Sequence, residues 1–412
     1  EETEMRNAYD ILEERGLVKQ CSHPEELREL MGKEKLTFYI GFDPTADSLH
    51  IGHYVALMTM AHMQRAGHRP IVLLGGGTAY IGDPSGKTDM RRMMTTEEIQ
   101  HNASCFQKQM AHVLNFEGEN AAIIENNASW LHSLNFLEFM RDIGSLFSVN
   151  RMLAAECYKQ RMERGLTFFE MGYMLMQSYD FLMLHQKYGC VLEMGGDDQW
   201  SNILSGADLI RRKEQHAAFA LTTGLLATSE GKKMGKTEKG ALWLDPAKTS
   251  PYEFYQYWRN VDDNGVQNCF KMLTFMPIDE INALTAPTAN INEAKKVLAY
   301  TLTAQVHGEE EAKKAQQAAE ALFGGGGDIE HMPTLKLSDA EIESTGLRVT
   351  DLLVLGKLCT SKSDARRTIE GGGVLMNDAK VTDVYAAADP AALESGIILK
   401  KGKKGFLRVI KG

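Results

Sequence analysis

A strand, a turn-rich segment, a helix and a second strand follow one another within residues 36–74, and this order constrains the fold more than any other feature. Residues 36–41 (LTFYIG) are aromatic and branched, as is typical of a buried strand. A helix is predicted over 49–66, and 70–74 (PIVLL) is the next strand. A strand–helix–strand unit of this length implies a parallel sheet.

Further strands are predicted at 121–125 and 190–194, which extends the same sheet. We therefore predict an α/β fold with a Rossmann-like, doubly wound parallel sheet, then a helical domain and a small α+β domain. The predicted segments are an α/β domain over 1–226, a mobile loop over 227–245, a helical domain over 246–323, a glycine-rich linker over 324–345 and a basic domain over 346–412.

The composition is that of a soluble globular protein, with 43% apolar and 24% charged residues in 412. The chain has no apolar run long enough for a membrane span, and its first residues do not resemble a signal peptide. The six cysteines are scattered, which argues against a disulfide framework or a CxxC metal site. We expect a cytoplasmic protein that does not associate with membranes.

The charge is unevenly distributed along the chain. Residues 346–412 carry 12 Lys and Arg against 7 Asp and Glu, although the whole chain has a net charge of −10. A basic end on an acidic protein predicts contact with a polyanion such as RNA. Candidate contacts are the basic residues of two predicted helices and the turn between them: Lys357, Lys362, Arg366 and Arg367.

Two histidines, His50 and His53, lie three residues apart at the start of the predicted helix, after the turn-rich segment DPTADS. The first turn of a helix presents free N–H groups and a partial positive charge, which favour an anion. Imidazoles added there supply more donors for phosphate oxygens. Gly52 between them lets a flat ligand approach the backbone. A lone HxxH pair is commonly a pair of surface histidines, so the interpretation as a phosphate-binding site depends on a second motif.

That second motif is GKKMGKT, which contains Lys233 and Lys236. Its glycines predict a mobile loop whose lysines can close over a polyphosphate and neutralise developing charge. The alternative is a solvated basic loop. Both motifs in one chain favour ATP-dependent chemistry.

A third candidate region is a nearly all-apolar helix with Tyr173, Gln177 and Asp180 on one face. Since such a helix is buried, its polar stripe faces a cavity, a partner or trapped water. These three groups suit a polar amino-acid ligand, although neighbouring elements could also satisfy them. The segment 194–202 (MGGDDQWSN) follows a predicted strand, where ligands gather in open α/β sheets.

The segments FDPTADSLHIGH and KMGKT resemble the HIGH and KMSKS signatures of class I aminoacyl-tRNA synthetases. Together with GDPSGKT, YMLMQSYD and GGDDQWSN they are similar to the bacterial-type tyrosyl-tRNA synthetases. The resemblance covers nearly the whole chain, including the tail, which is similar to an RNA-binding module shared with a ribosomal protein. It implies a homodimeric tyrosine–tRNA ligase that uses L-tyrosine, ATP with Mg²⁺, and tRNA(Tyr). It also implies that the helical domain recognises the anticodon.

The resemblance also implies a role for individual residues, with no protein ligand to a metal. For tyrosine the implied contacts are Tyr39 and Asp180 to the phenol, Asp83, Tyr173 and Gln177 to the ammonium group, and Gln199 near the carboxylate. For the adenylate they are Gly41, Asp43, Gly52, Gly196 and Asp198. The residues implied to stabilise the reacting phosphates and the departing pyrophosphate are Thr45, His50, His53, Lys87, Arg91, Lys233, Lys236 and Thr237.

The sequence departs from the family pattern at four positions. Gly235 and Thr237 replace the serines of the generic KMSKS motif, a variation that the tyrosyl group tolerates. Glu193 and Asp197 stand where Gln and Ser are expected. These two carboxylates add charge near the site and alter its expected pKa values and metal affinity, but not the reaction.

Three other functions remain open from the residues alone. A tryptophanyl enzyme shares the architecture, but Tyr39 with Asp180 suits a phenol better than an indole. A non-catalytic RNA-binding relative has no use for His50, His53 and Lys233. A nucleotidyltransferase acting on a small metabolite needs neither the helical domain nor the tail. A P-loop nucleotidase is excluded because the glycines of GDPSGK are one residue too close together.

Overall fold

The computed structural model describes residues 6–80, 94–163, 165–228, 231, 233–237, 240–324, 333–377, 379–393, 396–402 and 405–412. The chain forms two compact units, residues 1–309 and 310–412. Among the helices of the described ranges, none is long and apolar enough to span a bilayer.

A six-stranded sheet forms the centre of the first unit. Its strands are β1 (Gln20–Cys21), β2 (Thr37–Phe42), β3 (Arg69–Leu74), β4 (Ile123–Asn126), β5 (Leu192–Gly196) and β6 (Phe219–Thr223). Their order is β1-β6-β5-β2-β3-β4. All neighbours are parallel except β1, which pairs antiparallel with β6 at the edge. The predicted parallel sheet is therefore confirmed, with four strands foreseen and β1 and β6 missed.

The helices of this part of the chain are α1 (Ala8–Glu14), α2 (Pro24–Lys33), α3 (Ile51–Arg65), α4 (Thr96–Met110), α5 (Ala128–Leu131), α6 (Phe136–Asp142), α7 (Val149–Leu153), α8 (Glu156–Met162), α9 (Phe168–Tyr188), α10 (Trp200–Glu214), α11 (Pro251–Arg259), α12 (Val266–Leu273), α13 (Ile278–Leu284) and α14 (Ile291–His307). A short hairpin of β7 (Lys236–Thr237) and β8 (Gly240–Ala241) lies between β6 and α11. Helix α15 (Glu309–Gly324) follows.

The long helix α9 is fixed at both ends by its own sequence. At its start Thr167 and Glu170 form a reciprocal capping box. Gly189 ends it with φ of 65°, a left-handed conformation that suits glycine. Between these caps, Phe181 and Leu184 are buried in a core that also holds Ile71 of β3 and Ile210 of α10. The helix is thus held rigidly against the sheet, and with it the polar residues on its other face.

Two buried or half-buried polar side chains tie the helices after residue 251 to the sheet-bearing part of the first unit. The guanidinium of Arg15 donates to the carbonyl oxygen of Thr274 at 2.9 Å. Gln305 donates to the hydroxyl of Tyr54 on α3 at 2.7 Å. Helices α11–α14 therefore belong to the same compact unit as the sheet, whereas the sequence suggested a separate helical domain over 246–323.

The second unit contains an α+β fold. Its elements are β9 (Thr334–Leu337), α16 (Asp339–Thr345), α17 (Val349–Leu355), α18 (Lys362–Glu370), β10 (Val374–Met376), β11 (Ala379–Lys380), β12 (Ile397–Lys401) and β13 (Gly405–Lys411). The strand order is β11-β10-β12-β13-β9. Leu352 and Leu353 of α17 and Ile369 of α18 share one core with Ile397 and Val409 of the sheet. The predicted α+β character of the tail is confirmed.

The segment 324–345, which we predicted to be a linker, contains ordered elements in its second half. Strand β9 pairs in parallel with β13, so it belongs to the sheet of the second unit. Helix α16 begins with a capping box between Ser338 and Glu341. This Ser-x-x-Glu spacing is a sequence signal for a helix start, and the prediction overlooked it. The other predicted boundaries stay predictions.

Candidate active site

A cavity of about 820 Å³ opens at the carboxyl ends of β2, β3 and β5. This is the edge at which open parallel sheets place their ligands. Of the residues predicted for the site, those that line this cavity are Tyr39, Gly41, Asp43, Thr45, His50, Gly52, His53, Tyr173, Gln177, Asp180, Gly196, Asp198, Gln199 and Lys233. The fold therefore brings both motifs and the polar face of α9 around one space.

Some of the predicted residues cannot be placed. Asp83, Lys87 and Arg91 lie outside the described residues. Lys236 and Thr237 form β7, and only their backbone is described. Their roles stay predictions.

Asp180 is a buried polar residue of the cavity wall, only 2% exposed. Its carboxyl group accepts hydrogen bonds from Asn127 Nδ2 at 2.9 Å and from Trp130 Nε1 at 2.7 Å. Burial raises the pKa of this carboxyl to about 8, although the two hydrogen bonds oppose the shift. A carboxyl group held by two donors in a dry wall is fixed in position, as binding of a single polar ligand atom requires.

Tyr39 lies next to Asp180 in the same wall. Its side chain is 1% exposed, and its hydroxyl has no hydrogen bond of normal geometry to any described residue. Burial, and then the charges of Glu193 and Asp180, raise the pKa of this phenol well above its usual range. Glu193 is within interaction distance of this hydroxyl. A buried hydroxyl that lacks a well-formed hydrogen bond is costly, so a ligand that completes its hydrogen bonding is favoured here.

Glu193 faces the cavity from β5, because it lies opposite Tyr39 in the parallel register of β2 and β5. Gln177 Nε2 donates to Glu193 Oε1 at 2.8 Å. Burial raises the pKa of the Glu193 carboxyl to about 7, and the hydrogen bond from Gln177 opposes this shift. Of the two unusual carboxylates, Glu193 is therefore part of the site.

The other unusual carboxylate, Asp197, is occupied elsewhere. Its Oδ1 accepts from Gln20 Nε2 at 2.7 Å and from Thr222 Oγ1 at 2.9 Å. It thus ties the edge strand β1 to β6. Next to it, Asp198 lines the cavity, and a Cβ on Gly196 would come within 2.7 Å of the Asp198 Oδ1 atom. The glycine is needed so that the Asp198 side chain can turn towards the cavity.

Asp43, at the end of β2, connects two other elements of the site. It accepts from Thr78 Oγ1 at 2.8 Å and from the hydroxyl of Tyr173 on α9 at 2.8 Å. The hydroxyl of Tyr173 is therefore occupied as a donor by its hydrogen bond to Asp43. A Cβ on Gly75 would collide with the Asp43 carboxylate, so that glycine makes room for it.

The two histidines form a cap at the start of α3. His50 is the N-cap residue and its Nδ1 accepts from the Gly52 N–H at 3.0 Å. His53 Nδ1 accepts from the His50 N–H at 3.2 Å, and the two rings stack with centroids 3.9 Å apart. Because each Nδ1 accepts, the proton of each neutral ring is on Nε2. Both imidazoles are therefore fixed as Nε2–H donors at the positive end of a helix, an arrangement suited to an oxyanion.

Gly52 has a direct structural reason. A Cβ at this position would lie 2.9 Å from Cε1 of His50, too close for the ring to fold back onto the helix end. Glycine is thus required by the capping arrangement itself, in addition to the predicted approach of a flat ligand.

Residues 233–237, which we call the strap, lie against the start of α3. The Gly235 N–H donates to the hydroxyl of Tyr257 at 2.8 Å, and the Gly235 carbonyl accepts from the Leu242 N–H at 2.8 Å. The Leu242 carbonyl in turn accepts from the Ile51 N–H at 3.0 Å. Lys233 is exposed and lines the same cavity as His50. The two motifs therefore meet at one site, as the sequence predicted.

Three residues of the site were missed by sequence reasoning: Asn127, Trp130 and Thr78. Asn127 directly follows β4, at the same strand-end edge as Asp43, and that rule could have found it. Trp130 and Thr78 carry no local signal, since only the tertiary fold brings them to Asp180 and Asp43.

The predicted tRNA contacts lie in the second unit. Lys362, Arg366 and Arg367 are on α18, and Lys357 follows α17 with φ of 58°. Lys362 pairs with Asp351. These residues form a basic segment on the helical side of that unit, and their contact with RNA stays a prediction.

Comparison with known proteins identifies the family of the chain. Residues 31–324 match the family of class I tRNA synthetases for W and Y, and residues 328–409 match a tyrosine–tRNA ligase SYY-like C-terminal domain. A tyrosine–tRNA ligase of Clostridium botulinum is 59% identical over 409 residues, which cover 98% of this chain and all of that protein. A tyrosine–tRNA ligase of Fusobacterium nucleatum is 56% identical over 411 residues and the full length of both.

The chain belongs to the tyrosine–tRNA ligases, within the class I tRNA synthetases.

Among solved structures, a C-terminally truncated mitochondrial tyrosyl-tRNA synthetase of Aspergillus nidulans is 30% identical. It covers 77% of this chain and 94% of its own, with a TM-score of 0.70. Both the catalytic fold and the tail thus match this family. Membership of the tyrosine–tRNA ligases makes the chain an ATP-dependent enzyme, and it removes the RNA-binding and nucleotidyltransferase alternatives.

Proposed function

We propose that the cavity carries out tyrosine activation with a division of labour between its two ends. The observation that carries the proposal is that one cavity joins a buried polar wall, Tyr39 and Asp180, to the capped histidines and Lys233. The wall suits a phenol, because Tyr39 has an unsatisfied hydroxyl and Asp180 is fixed by two donors. Phenylalanine would bring no hydroxyl to complete the hydrogen bonding of Tyr39 or to add a third hydrogen bond to Asp180; tyrosyl-tRNA synthetase is itself a known example of such rejection.

At the amino-acid end, Tyr173 and Gln177 of α9, with Asp83, receive the ammonium group of tyrosine. Gln199 lies near its carboxylate. Support comes from the spacing of Tyr173 and Gln177, one helical turn apart on the face of α9 that lines the cavity.

At the ATP end, the tyrosine carboxylate attacks the α-phosphate in line and pyrophosphate leaves. The α-phosphate is contacted by His50, His53 and Thr45. The pyrophosphate is contacted by Lys87, Arg91, Lys233, Lys236 and Thr237. Asp43 and Asp198 contact the adenylate, and Gly41, Gly52 and Gly196 permit its close approach. Catalysis then depends on positioning and charge stabilisation, without a protein nucleophile. In a second step, the terminal ribose hydroxyl of tRNA(Tyr) takes the tyrosyl group from the adenylate.

Mg²⁺ enters as the ATP complex in this proposal. In the described part of the chain there is no group of three or more His, Cys, Asp or Glu side chains that could hold a metal ion. Mg²⁺ usually keeps several waters and binds substrate phosphates with one or two carboxylates. Triphosphate oxygens and water would therefore be its main ligands.

The tail is proposed to bind tRNA through Lys357, Lys362, Arg366 and Arg367, and helices of the 246–323 segment to recognise the anticodon. The positive charge of residues 346–412 supports the first assignment. A cytoplasmic location is proposed as well, since all six cysteines are free thiols, which is usual in a reducing compartment.

We also propose a homodimer. Helix α6 has no buried residue, although it carries Phe136 and Leu137, which are 64% and 76% exposed. Val149, Phe168 and Phe169 are further exposed apolar residues of the same stretch of chain. A concentration of exposed apolar side chains marks an interaction surface.

ATP–pyrophosphate exchange tests the proposed reaction most directly. L-Tyrosine should support exchange, and L-phenylalanine and L-tryptophan should not at the same concentrations. Exchange supported by tryptophan would show that tyrosine is not the specific substrate. If none of the amino acids supports exchange, the proposed activity of this cavity is contradicted. The Tyr39→Phe variant should retain the fold and discriminate less well against phenylalanine.

A further inference from the structure

The side-chain amide of Gln177 has a defined orientation because of its neighbour. Amide oxygen and nitrogen are interchangeable in shape, so an amide beside a hydroxyl or another amide can point either way. Glu193 Oε1 lies 2.8 Å from Gln177 and acts as an acceptor. It accepts whether the carboxyl is ionised or carries a proton on its other oxygen. While Oε1 is unprotonated, the nitrogen of Gln177 therefore faces Glu193, as in the observed hydrogen bond.

The consequence is that Gln177 Oε1 points away from Glu193. This oxygen is buried and has no hydrogen-bond partner among the described residues. Both residues line the cavity. A buried acceptor without a donor is completed by a ligand that brings N–H groups. An ammonium group brings three and cannot accept, so it matches an outward oxygen and is repelled by an outward amide nitrogen.

Glu193 is itself held firmly in place. It is 2% exposed and is the second residue of β5, opposite Tyr39. A Cβ on Gly206 of α10 would approach its Oε2 to 3.2 Å, so the helix packs closely over it. The carboxyl group has little freedom to leave Gln177.

We propose that Glu193 is a positioning residue: it holds the Gln177 amide with its oxygen towards the amino-acid end of the cavity, and so makes the site select ligands with an α-ammonium group. This inference rests on the proposed contact between Gln177 and the ammonium group of tyrosine. Glu193 touches neither the phenol nor the reacting phosphate in this assignment.

The test compares two ligands of the full-length protein that differ only in the ammonium group: L-tyrosine and 3-(4-hydroxyphenyl)propionate. Dissociation constants are measured by equilibrium dialysis without ATP. The variant Glu193→Met removes the acceptor at similar length, and Glu193→Gln can still accept from Gln177. Asp197→Asn is the control, because that neighbouring carboxylate contacts Gln20 and Thr222 instead.

The preference of the parent for L-tyrosine should fall about tenfold in Glu193→Met, as expected for loss of one hydrogen bond to a charged group. Affinity for the propionate should stay within about twofold, because it lacks the ammonium group that this hydrogen bond serves. Glu193→Gln can accept from Gln177 or donate to it, so its preference should lie between those of Glu193→Met and the parent. Asp197→Asn should match the parent. Equal weakening of both ligands in Glu193→Met would assign a merely structural role and overturn the proposal, as would an unchanged preference.

A second set of variants keeps the test decisive if Glu193→Met does not fold. In the double variant Gln177→Glu with Glu193→Gln, the acceptor is always on residue 177, so the preference for L-tyrosine should be retained. Loss of the preference there would contradict the proposal. Gln177→Met separates the two levels of inference. If it keeps the preference of the parent, the proposed role of Gln177 fails; if it loses the preference while Glu193→Met keeps it, only the positioning role fails.

Discussion

At the scale of single residues, the histidine pair acts as both a helix cap and a source of donors, and these roles can be separated. His50→Ala removes one preorganised donor and should slow adenylate formation about 10²–10³-fold. His50→Asn restores a good N-cap, since asparagine caps helices well. We expect the asparagine variant to be as stable as the parent and still slow by more than tenfold, since it lacks the imidazole donor. Stopped-flow adenylation rates within threefold of the parent would show that His50 only caps the helix.

Glu193 makes stability depend on pH in a direction that its burial determines. Its pKa is raised from 4.5 to about 7 in the folded chain. Above pH 4.5 the unfolded chain ionises this group while the folded chain resists, so the parent loses stability as pH rises through 7. Glu193→Gln has no such loss. Its free energy of unfolding should exceed that of the parent by a margin that grows by about 3 kcal/mol between pH 4.5 and 8.

Urea unfolding of both proteins across this range measures the margin. Asp180 and Tyr39 face Glu193 in both proteins and their contributions largely cancel in the difference. A margin that is constant with pH would mean that Glu193 ionises normally in the folded protein.

At the scale of helices and strands, the predictable parts of this fold are those with a local signal. The helix that became α3 was predicted from its turn-rich start and from Gly67, and its observed bounds agree within two residues. Strand β6 was missed because only Gly224 separates residues 219–223 from the apolar residues 225–227. Strand β1 has two residues and depends wholly on pairing with β6. Such edge strands have no sequence signature of their own.

The candidate site follows the same rule. Motifs and strand ends predicted which elements meet, and 14 of the predicted residues line the cavity. The partners that orient them were not predictable, because Trp130 and Asn127 reach Asp180 only through the packing of α9 against the sheet. The sequence also does not show why glycine is required at position 235.

Gly235 places the strap against α3 and can be tested at this scale. It has φ of 82°, and a Cβ there would overlap the Cγ2 methyl group of Ile51. Gly235→Ala should therefore displace the strap and slow adenylate formation at least tenfold, with tyrosine affinity unchanged, because a charge-stabilising lysine moves. Gly240→Ala is the matched control: its φ is 109°, and a Cβ there meets nothing within 4 Å. Equal effects of the two substitutions would attribute the loss to backbone strain alone.

At the scale of the whole molecule, we expect the second unit to contribute tRNA contacts without taking part in tyrosine activation. Arg366→Ala with Arg367→Ala should raise the KM for tRNA about tenfold and reduce its dependence on salt, since fewer phosphates are neutralised. Tyrosine-dependent pyrophosphate exchange should be unchanged. Lys336→Ala, an exposed lysine on β9 of the same unit, serves as the control. If the double variant charges tRNA as the parent does, α18 is not part of the tRNA interface.

The proposed association of two copies also belongs to this scale, and it can be tested at the exposed helix α6. Phe136→Glu with Leu137→Glu places two charges on a surface that a partner would bury, and charge at the core of an interface is strongly disfavoured. Sedimentation equilibrium of the parent should give twice 45.9 kDa, and the variant should give the single-chain mass. Tyr385→Glu changes an equally exposed aromatic residue of the second unit and should leave the dimer intact. A parent that sediments as a monomer, or a variant that remains dimeric, would contradict a role of α6 in the interface. Helix α9 begins at the exposed Phe168 and carries Tyr173 and Gln177. The dissociated variant should therefore also bind tyrosine more weakly.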